Sequence, residues 1–487
     1  MARVMVVGAG PAGMMLAAEL RLAGVEAVVL DERESAGLVG SRGGGIHARS
    51  IELLDQRGLA GRFLAAGRTL DRITFGGTAL ALGGLPTRHP YTLALFQNEI
   101  ERLLAERLDE LGVRVRRGTV VTGLTVDDDG VTVHREDGDP LRADWVVGAD
   151  GGRSTVRRAA GIDFPGVDAT RSTLIADVRV TGAPVATGKV DARGVHGLHP
   201  MGDGTVRVVV TEAVLQRGRP TLDDLRRELT AVFGTDFGVH DPSWLSRFTD
   251  ATRQAATYRS GRVLLAGDAA HVHSPTGGMG IGLGLQDAVN LGWKLARVVH
   301  GVADPDLLDT YTAERHPAGA RALRYTMAQS LFQQADPRRE ALRELLDEVL
   351  AVPDAGTPIA ALVTGLDVRH DPGNGHPLWG RRMPDLDLDT ADGPRRLYSL
   401  LHHAEPLLLA LDDRPLPAAA PWVGRVRRLR AGAAAEWVLP VVGAVPAPGA
   451  VFVRPDGHVG WVGGNPGGGG GDEGLTEALA TWCGRPG

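Results

Sequence analysis

The chain carries one cysteine, Cys483, among 487 residues. A single thiol excludes a disulfide framework, an iron–sulfur cluster and a cysteine-rich zinc site. Lysine is nearly missing as well. Only Lys189 and Lys294 stand beside the arginines in a Lys+Arg total of 53, so a mechanism built on a lysine Schiff base has few places to sit. Nor is there an excess of basic charge: the net charge is −6, with both signs mixed along the chain. That excludes a general nucleic-acid or anionic-membrane binder. No run of 18 apolar residues occurs, and the apolar segment behind the N-terminus contains Glu19 and Arg21. Neither a membrane span nor a signal peptide is expected, and the reading places the protein in the cytoplasm.

What is abundant is glycine. There are 67 in the chain, about twice the usual share. The length suggests roughly three domains, and 43% hydrophobic with 23% charged residues is ordinary for a globular protein. The glycines cluster, and the clusters carry the argument.

Arg3–Val7 is a short apolar run that reads as a buried strand, Met14–Ala23 has helical spacing, and Glu26–Leu30 reads as a second buried strand. A right-handed crossover makes the two strands parallel. Between the first strand and the helix lies Gly8-Ala9-Gly10-Pro11-Ala12-Gly13. In such a motif the first glycine permits a tight turn, the second admits a pyrophosphate to the backbone, and the third lets helix and strand pack closely. The phosphate then meets the free N–H groups of a helix start. Asp31 closes the second strand and suits the ribose hydroxyls, with Glu32 next door as the alternative.

Two further segments end buried strands in the same manner. Gly148-Ala149-Asp150-Gly151-Gly152-Arg153-Ser154 follows Trp145–Gly148, and reads equally as an ordinary Asp-Gly turn. Gly267-Asp268-Ala269-Ala270-His271 follows Arg262–Ala266 and leads through Pro275-Thr276-Gly277-Gly278-Met279-Gly280 into a helix over Leu285–Val299. An aspartate there can hold a polyhydroxy chain. The loop lets backbone approach a flat ring, and the helix start offers positive potential. A plain glycine hinge is the competing reading.

The remaining elements are read more coarsely. Gln97–Leu111 is an amphipathic helix; Val113–Arg116, Thr119–Thr125 and Val131–Arg135 are strands, the last two joined at Asp129-Gly130. Residues 168–255 alternate, as in Arg171–Val180 and Val206–Val210, which predicts an antiparallel sheet with one solvated face. Ala322–Val352 is mostly helical, and Pro353–Gly380 reads as a linker. From Arg381 a small α/β region follows, with strands at Leu407–Leu411 and Val451–Val453. His458–Val462 is its candidate hairpin partner, Asn465–Gly471 a flexible glycine loop, and Leu475–Cys483 a terminal helix. Trp145, Trp293 and Trp461 read as core. Arg338, Arg339 and Arg343, interleaved with Glu340 and Glu344, read as a solvated helix face. The pairs His271/His273 and His402/His403 read as packing or surface groups, and no metal site is expected.

Together the three glycine–aspartate segments resemble the fingerprints of the single-component FAD-dependent aromatic hydroxylases of the para-hydroxybenzoate hydroxylase type. Ile46–Glu52, Arg262–His271, Gln286–Leu295, Leu308–Pro317 and Arg454–Val462 are similar to the polyketide hydroxylase and rifampicin monooxygenase branch. The resemblance implies an α/β fold: a Rossmann-like FAD-binding domain, an antiparallel-sheet substrate domain and a C-terminal thioredoxin-like domain. The corresponding boundaries are 1–167 for the first part of the FAD domain, with 76–96 free to join the substrate domain. Residues 168–258 form the substrate sheet, 259–370 the second FAD part with long helices, and 371–487 the C-terminal domain. Without a Cys-x-x-Cys that last domain has no dithiol chemistry and reads as structural or as an assembly surface.

By the same resemblance Gly8, Gly10, Pro11, Ala12 and Gly13 hold the FAD pyrophosphate, and Asp31 or Glu32 the ribose, with Arg33 nearby. Arg42 meets the phosphates or the flavin. Gln97, spaced to Glu101, touches FAD, and Val121 meets the adenine through its backbone. Asp150 and Arg157 serve FAD and the nicotinamide cofactor. Asp268 takes the ribityl chain, Pro275 lies beside the ring, and Gly278, Gly280, Ile281 and Gly282 face its pyrimidine edge. The family usually has asparagine where Gly282 stands, so a side-chain contact is lost and the ring gains room.

FAD is expected to be non-covalent. No second strand–GxGxxG–helix unit follows the first, so NAD(P)H is expected as a visiting cosubstrate without its own domain. O2 is the other cosubstrate, activated as a flavin C4a-hydroperoxide that an electron-rich ring attacks. The substrate, an aromatic polyketide or related antibiotic, should lie between flavin and sheet, with His196, His199 and Arg207 as polar candidates. Baeyer–Villiger insertion and a reductase or oxidase on the same fold are the alternatives. The reading foresees a small aromatic substrate as partner, no nucleic acid and no membrane, and leaves a homodimer open.

Overall fold

The computed structural model describes residues 2–182, 186–370, 375–464 and 474–486; the predicted loop Asn465–Gly471 lies outside them. Its centre is a mostly parallel sheet. The strand Ala2–Val7 pairs in parallel with Ala27–Leu30 on one side and with Leu141–Gly148 on the other. Val263–Leu265 extends the second side and Arg114–Arg116 the first. The central runs Val4–Val7, Ala27–Leu30, Trp145–Val147 and Val263–Leu265 are apolar because they are buried, whereas the edge strand Arg114–Arg116 carries exposed arginines. Pro11–Leu22 and Gly280–Val299 pack directly against each other, and Gly292 has no room for a Cβ beside Glu19.

The register aligns the strand ends. Val7 faces Leu30 and Gly148, and Gly148 faces Leu265. Three glycine turns separated by more than 100 residues therefore leave the sheet at one edge. In open α/β sheets the crevice outside the carboxyl ends, where strand order reverses, is where ligands bind.

A second, five-stranded antiparallel sheet runs in the order Thr187–Val190, Val195–Pro200, Val206–Thr211, Ser172–Arg179, His240–Thr249. One face, with Leu174, Ala176, Val208 and Val210, packs on Leu225, Leu229 and Val232 of the helix Leu222–Phe233. The sequence predicts solvent on the other face. Instead Thr173, Val209, Thr211 and Phe248 line cavities facing the first sheet, because alternation shows only that a face is not core.

The predicted linker Pro353–Gly380 contains a helix, Thr357–Thr364, with Ala360, Ala361 and Val363 buried. Its proline at the start and Gly365 at φ 75° after its end are ordinary helix boundaries, which a composition count registers as loop. Pro337–Leu350 has no buried residue, in keeping with a solvated helix.

The C-terminal sheet has six strands, with Leu407–Ala410 central between parallel Arg427–Gly432 and antiparallel Ala450–Val453. Val459–Gly463 forms the expected hairpin with Ala450–Val453, and Leu475–Cys483 packs on Phe452 and Trp461. This unit is fixed to the first by buried charge. Arg454 donates to Glu314 at 2.6 and 2.9 Å, Lys294 donates to Glu314 at 2.9 Å, and Asn290 donates to Asp456 at 3.0 Å. Burial pushes Lys294 down to about 8, against the pull of Glu314. No described helix is long and apolar enough to cross a membrane.

Candidate active site

A single cleft of about 320 Å³ runs along the shared strand edge, from Gly10, Pro11 and Ala12 past Asp268 to Pro275, Gly280 and Ile281. All three glycine segments thus meet in one place, the first and third through predicted residues and the second through Ala149 and Gly151 instead of Asp150.

The turn at its start is held tightly. Gly8 has φ 106°, and a Cβ there would lie 2.2 Å from the Ala149 carbonyl oxygen. A Cβ on Gly13 would lie 1.9 Å from the Gly8 carbonyl oxygen. Gly10 differs: nothing lies within 4 Å of the place its Cβ would take. It also caps the helix Pro11–Leu22 with no side-chain hydrogen bond, so the first N–H groups face the cleft unsatisfied. An open cradle over a bare helix start fits a pyrophosphate.

Asp31 is buried and absent from the cleft lining. It accepts from Ala9 N–H at 2.6 Å and from Arg33 N–H and Nε at 2.9 Å. Burial raises its pKa, but the Arg33 hydrogen bond and charge and the Ala9 N–H outweigh that and hold it below the usual value. Arg33 also donates to the Ala9 carbonyl and to Glu101, both at 2.7 Å. In this structure the pair braces the glycine turn, while Glu32 is exposed.

The Gln97–Glu101 spacing is a real contact: Gln97 Nε2 donates to Glu101 at 2.9 Å, and Gln97 lines the cleft. Arg42 also lines it and donates to Ser246 Oγ at 2.6 Å. Val121, on the strand Val121–Asp127, is not part of the lining.

Asp150 points away from the cleft. Ser154 Oγ donates to it at 2.5 Å and Thr155 N–H at 2.7 Å, so it caps a short helix while Ala149 and Gly151 line the cleft. Arg157 is buried with its ring-like plane over Phe164 at 3.6 Å and also acts structurally. Asp268 is the exposed carboxylate on the cleft wall. Behind it Asp287 accepts from Gly267 N–H at 3.2 Å, from His271 Nε2 at 2.7 Å and from Arg315 Nε at 2.8 Å.

Several lining residues carry no role in the sequence reading. Gly43, Gly44 and Gly45 were legible as a glycine run; Phe248 and Thr249 lie on a strand and gave no signal. His273 is the instructive one, because the sequence reading finds no histidine specially placed. Its Nδ1 faces the Ser274 carbonyl at 2.6 Å, so Nδ1 carries the proton and Nε2 is an unpartnered acceptor. Burial in the cleft wall lowers its pKa, against the pull of the Ser274 carbonyl and Asp268, and the ring is neutral at pH 7.

Gly282 needs correction. Its missing side chain faces away from the cleft, where a Cβ would lie 2.7 Å from Ser50 Oγ. The ring end gains no room there. His196, His199 and Arg207 line neither this cleft nor the adjoining cavity. His196 is buried against Asp191, Arg207 pairs bidentately with Asp177 at 2.8 Å, and His199 is exposed. The adjoining cavity, about 200 Å³, shares Phe248 and Pro275 with the cleft and is walled by Thr173, Val209, Thr211 and Gln333. Among the described residues no cluster of His, Cys, Asp or Glu is placed to hold a metal.

A family model described as an FAD binding domain matches residues 1–326, and one described as the C-terminal domain of aromatic-ring hydroxylases matches residues 376–486. A 12-dehydrotetracycline 5-monooxygenase/anhydrotetracycline 6-monooxygenase of Streptomyces rimosus is 45% identical, over 99% of each chain. A rifampicin monooxygenase of Streptomyces venezuelae is 46% identical, over 94% of this chain and 95% of its own. Among solved structures, an anhydrotetracycline hydroxylase from Streptomyces rimosus superposes with a TM-score of 0.92 at 45% identity, over 99% of each chain.

Proposed function

Because the chain belongs to the FAD-dependent aromatic-ring monooxygenases, we propose that it oxygenates a polycyclic aromatic polyketide or a related antibiotic. The supporting observation is the continuous cleft from Gly10 past Asp268 to Pro275, which shares Phe248 and Pro275 with a second cavity beneath the antiparallel sheet.

FAD reduced by NAD(P)H supplies the activation of O2 and the transfer of one oxygen atom. The protein contributes position and environment. The bare helix start at Gly10 binds the pyrophosphate, and Gly8 and Gly13 let the backbone come close enough. Asp31 and Arg33 keep that turn in shape. Asp268 hydrogen-bonds the ribityl hydroxyls. Gly43–Gly45, Gly278, Gly280 and Ile281 line the end of the cleft that would hold the ring, and the positive end of the helix Gly280–Val299 would favour negative charge there. Pro275 and Phe248 separate the ring site from the substrate cavity. His273 Nε2 offers an acceptor that can take the proton of a substrate hydroxyl. The apolar walls exclude water, which protects activated oxygen from wasteful release.

The C-terminal sheet reads as a thioredoxin-like domain, with a structural role exerted through Arg454 and Asp456. Dependence on NAD(P)H places the enzyme in the cytoplasm. The test is incubation of the FAD-loaded protein with NADPH, a panel of phenolic polyketides and 18O-labelled O2. One labelled atom in the product is expected; NADPH oxidation that never labels a product would leave only a reductase or oxidase.

A further inference from the structure

On the far side of the helix Gly280–Val299 lies a separate cavity of about 310 Å³. Gly280, Ile281 and Gly284 line the flavin cleft, whereas Gly282, Leu283 and Gln286 line this one. Met279, Leu283, Ala322 and Val363 belong to one apolar cluster in its wall. Gly282 and Ser50 meet closely in its wall, where a side chain at Gly282 would run into Ser50 Oγ at 2.7 Å. The departure from the family's asparagine therefore lets Ser50 pack close against the helix in the cavity wall, and adds no room at the ring.

Four side chains in the remaining wall are at least nine-tenths buried and carry polar atoms without a partner: Ser50 Oγ, His47 Nδ1, Asp367 Oδ1 and both ring nitrogens of His370. Their chemistry is decided by their other contacts. His47 Nε2 donates to the Gly277 carbonyl at 2.7 Å, which leaves Nδ1 a lone pair. Asp367 Oδ2 accepts from Arg321 at 2.6 Å, so Oδ1 is a free acceptor. Burial, with His458 beside it, holds His370 well below its usual pKa, so one ring nitrogen donates and the other accepts. Free acceptors thus outnumber fixed donors. Unsatisfied buried polar groups are rare in native proteins, and each calls for a partner.

We propose that this cavity is a second small-molecule site, taking a neutral, flat, apolar ligand that brings hydroxyl donors, a polyhydroxylated aromatic. The carboxylates of Glu314 and Asp367 in the wall are paired with Arg454, Lys294 and Arg321, which leaves little net charge to attract an ion. An occupant would press on the helix whose opposite face lines the flavin cleft. The proposal rests on the cavity and stands apart from the oxygenation reading.

Isothermal titration of the FAD-loaded full chain with a dihydroxyanthraquinone should show two binding events. Ala318→Trp, which fills the cavity from the helix Asp309–Leu331, should remove one of them while the flavin spectrum and NADPH oxidation persist. The dimethoxy ether of the probe, which lacks donors, should bind the second site at least tenfold more weakly. A single event untouched by Ala318→Trp, or equal binding of the ether, overturns the proposal. If that variant does not fold, crystals of the unaltered protein soaked with a brominated probe decide: anomalous signal beside Gly282 and His370 supports the site, and signal confined to the cavity at Phe248 overturns it. Loss of the Phe248 event alone would count against the oxygenation reading and leave this one standing.

Discussion

Arg157 donates from Nη1 to the carbonyl oxygen of Ala269 at 2.7 Å, across 112 residues of chain. Its Nη2 donates to the Gly152 carbonyl at 2.9 Å. One guanidinium thereby ties the Asp150 turn to the turn that presents Asp268. Hydrogen bonds from a charged donor contribute about 1.5–3 kcal/mol each. Arg157→Met should weaken FAD binding at least tenfold, read from flavin fluorescence during titration of the apoprotein, although Arg157 itself need not touch the cofactor. Unchanged affinity would show that the Asp268 turn holds itself.

Gly10 and Gly13 should separate folding from binding. Gly10→Val adds a side chain in open space, at a backbone φ of −78° that any residue adopts. The apoprotein should melt within a few degrees of the original, while FAD affinity falls more than 100-fold. Gly13→Ala places a methyl 1.9 Å from the Gly8 carbonyl oxygen and should lower the melting temperature of the apoprotein itself. Similar melting curves for the two variants would contradict this division.

Asp287→Ala should destabilise the protein strongly, because it leaves Arg315 buried without its ion-pair partner. Breaking a buried pair in this way costs about 3–5 kcal/mol. Urea unfolding monitored by tryptophan fluorescence measures it. A loss under about 1 kcal/mol would mean that water reaches Arg315.

Stability should fall on mild acidification. Burial pushes His458 down to about 4, against the attraction of Asp456, whereas in the unfolded chain it titrates near 6.5. As pH falls through that window the unfolded state takes the proton first, so stability drops from pH 6.5 and levels off below about pH 4. By pH 5 the loss is on the order of 2 kcal/mol. His370, 4.3 Å away ring to ring and likewise held low, adds in the same direction. Thermal unfolding at pH 7 and pH 5 should therefore show a smaller drop for His458→Gln than for the unaltered chain, and identical drops would remove His458 from the account.

Much of the nucleotide-binding unit was legible in the residues. The strand–glycine–helix–strand order around Gly8–Gly13 is local, and local order is what pattern reads. The helix Gln97–Leu111 and its Gln97–Glu101 contact follow from a spacing of four. The three glycine turns could be recognised as similar, and parallel pairing makes their convergence intelligible. Composition alone also excluded disulfide and iron–sulfur chemistry, since there is one cysteine, and left a lysine Schiff base only two places to sit.

Tertiary packing decided which way each chosen side chain turns. Asp31, Asp150 and Arg157 are where the pattern put them, yet they face inward and brace the turns, because each met a nearer partner than the cleft. His273 and Phe248 reach the cleft through register and loop path, which leave no mark on composition. Gly282 shows the same limit. A missing side chain is visible in the sequence, but which neighbour fills its place is set by what packs against the helix there, here Ser50.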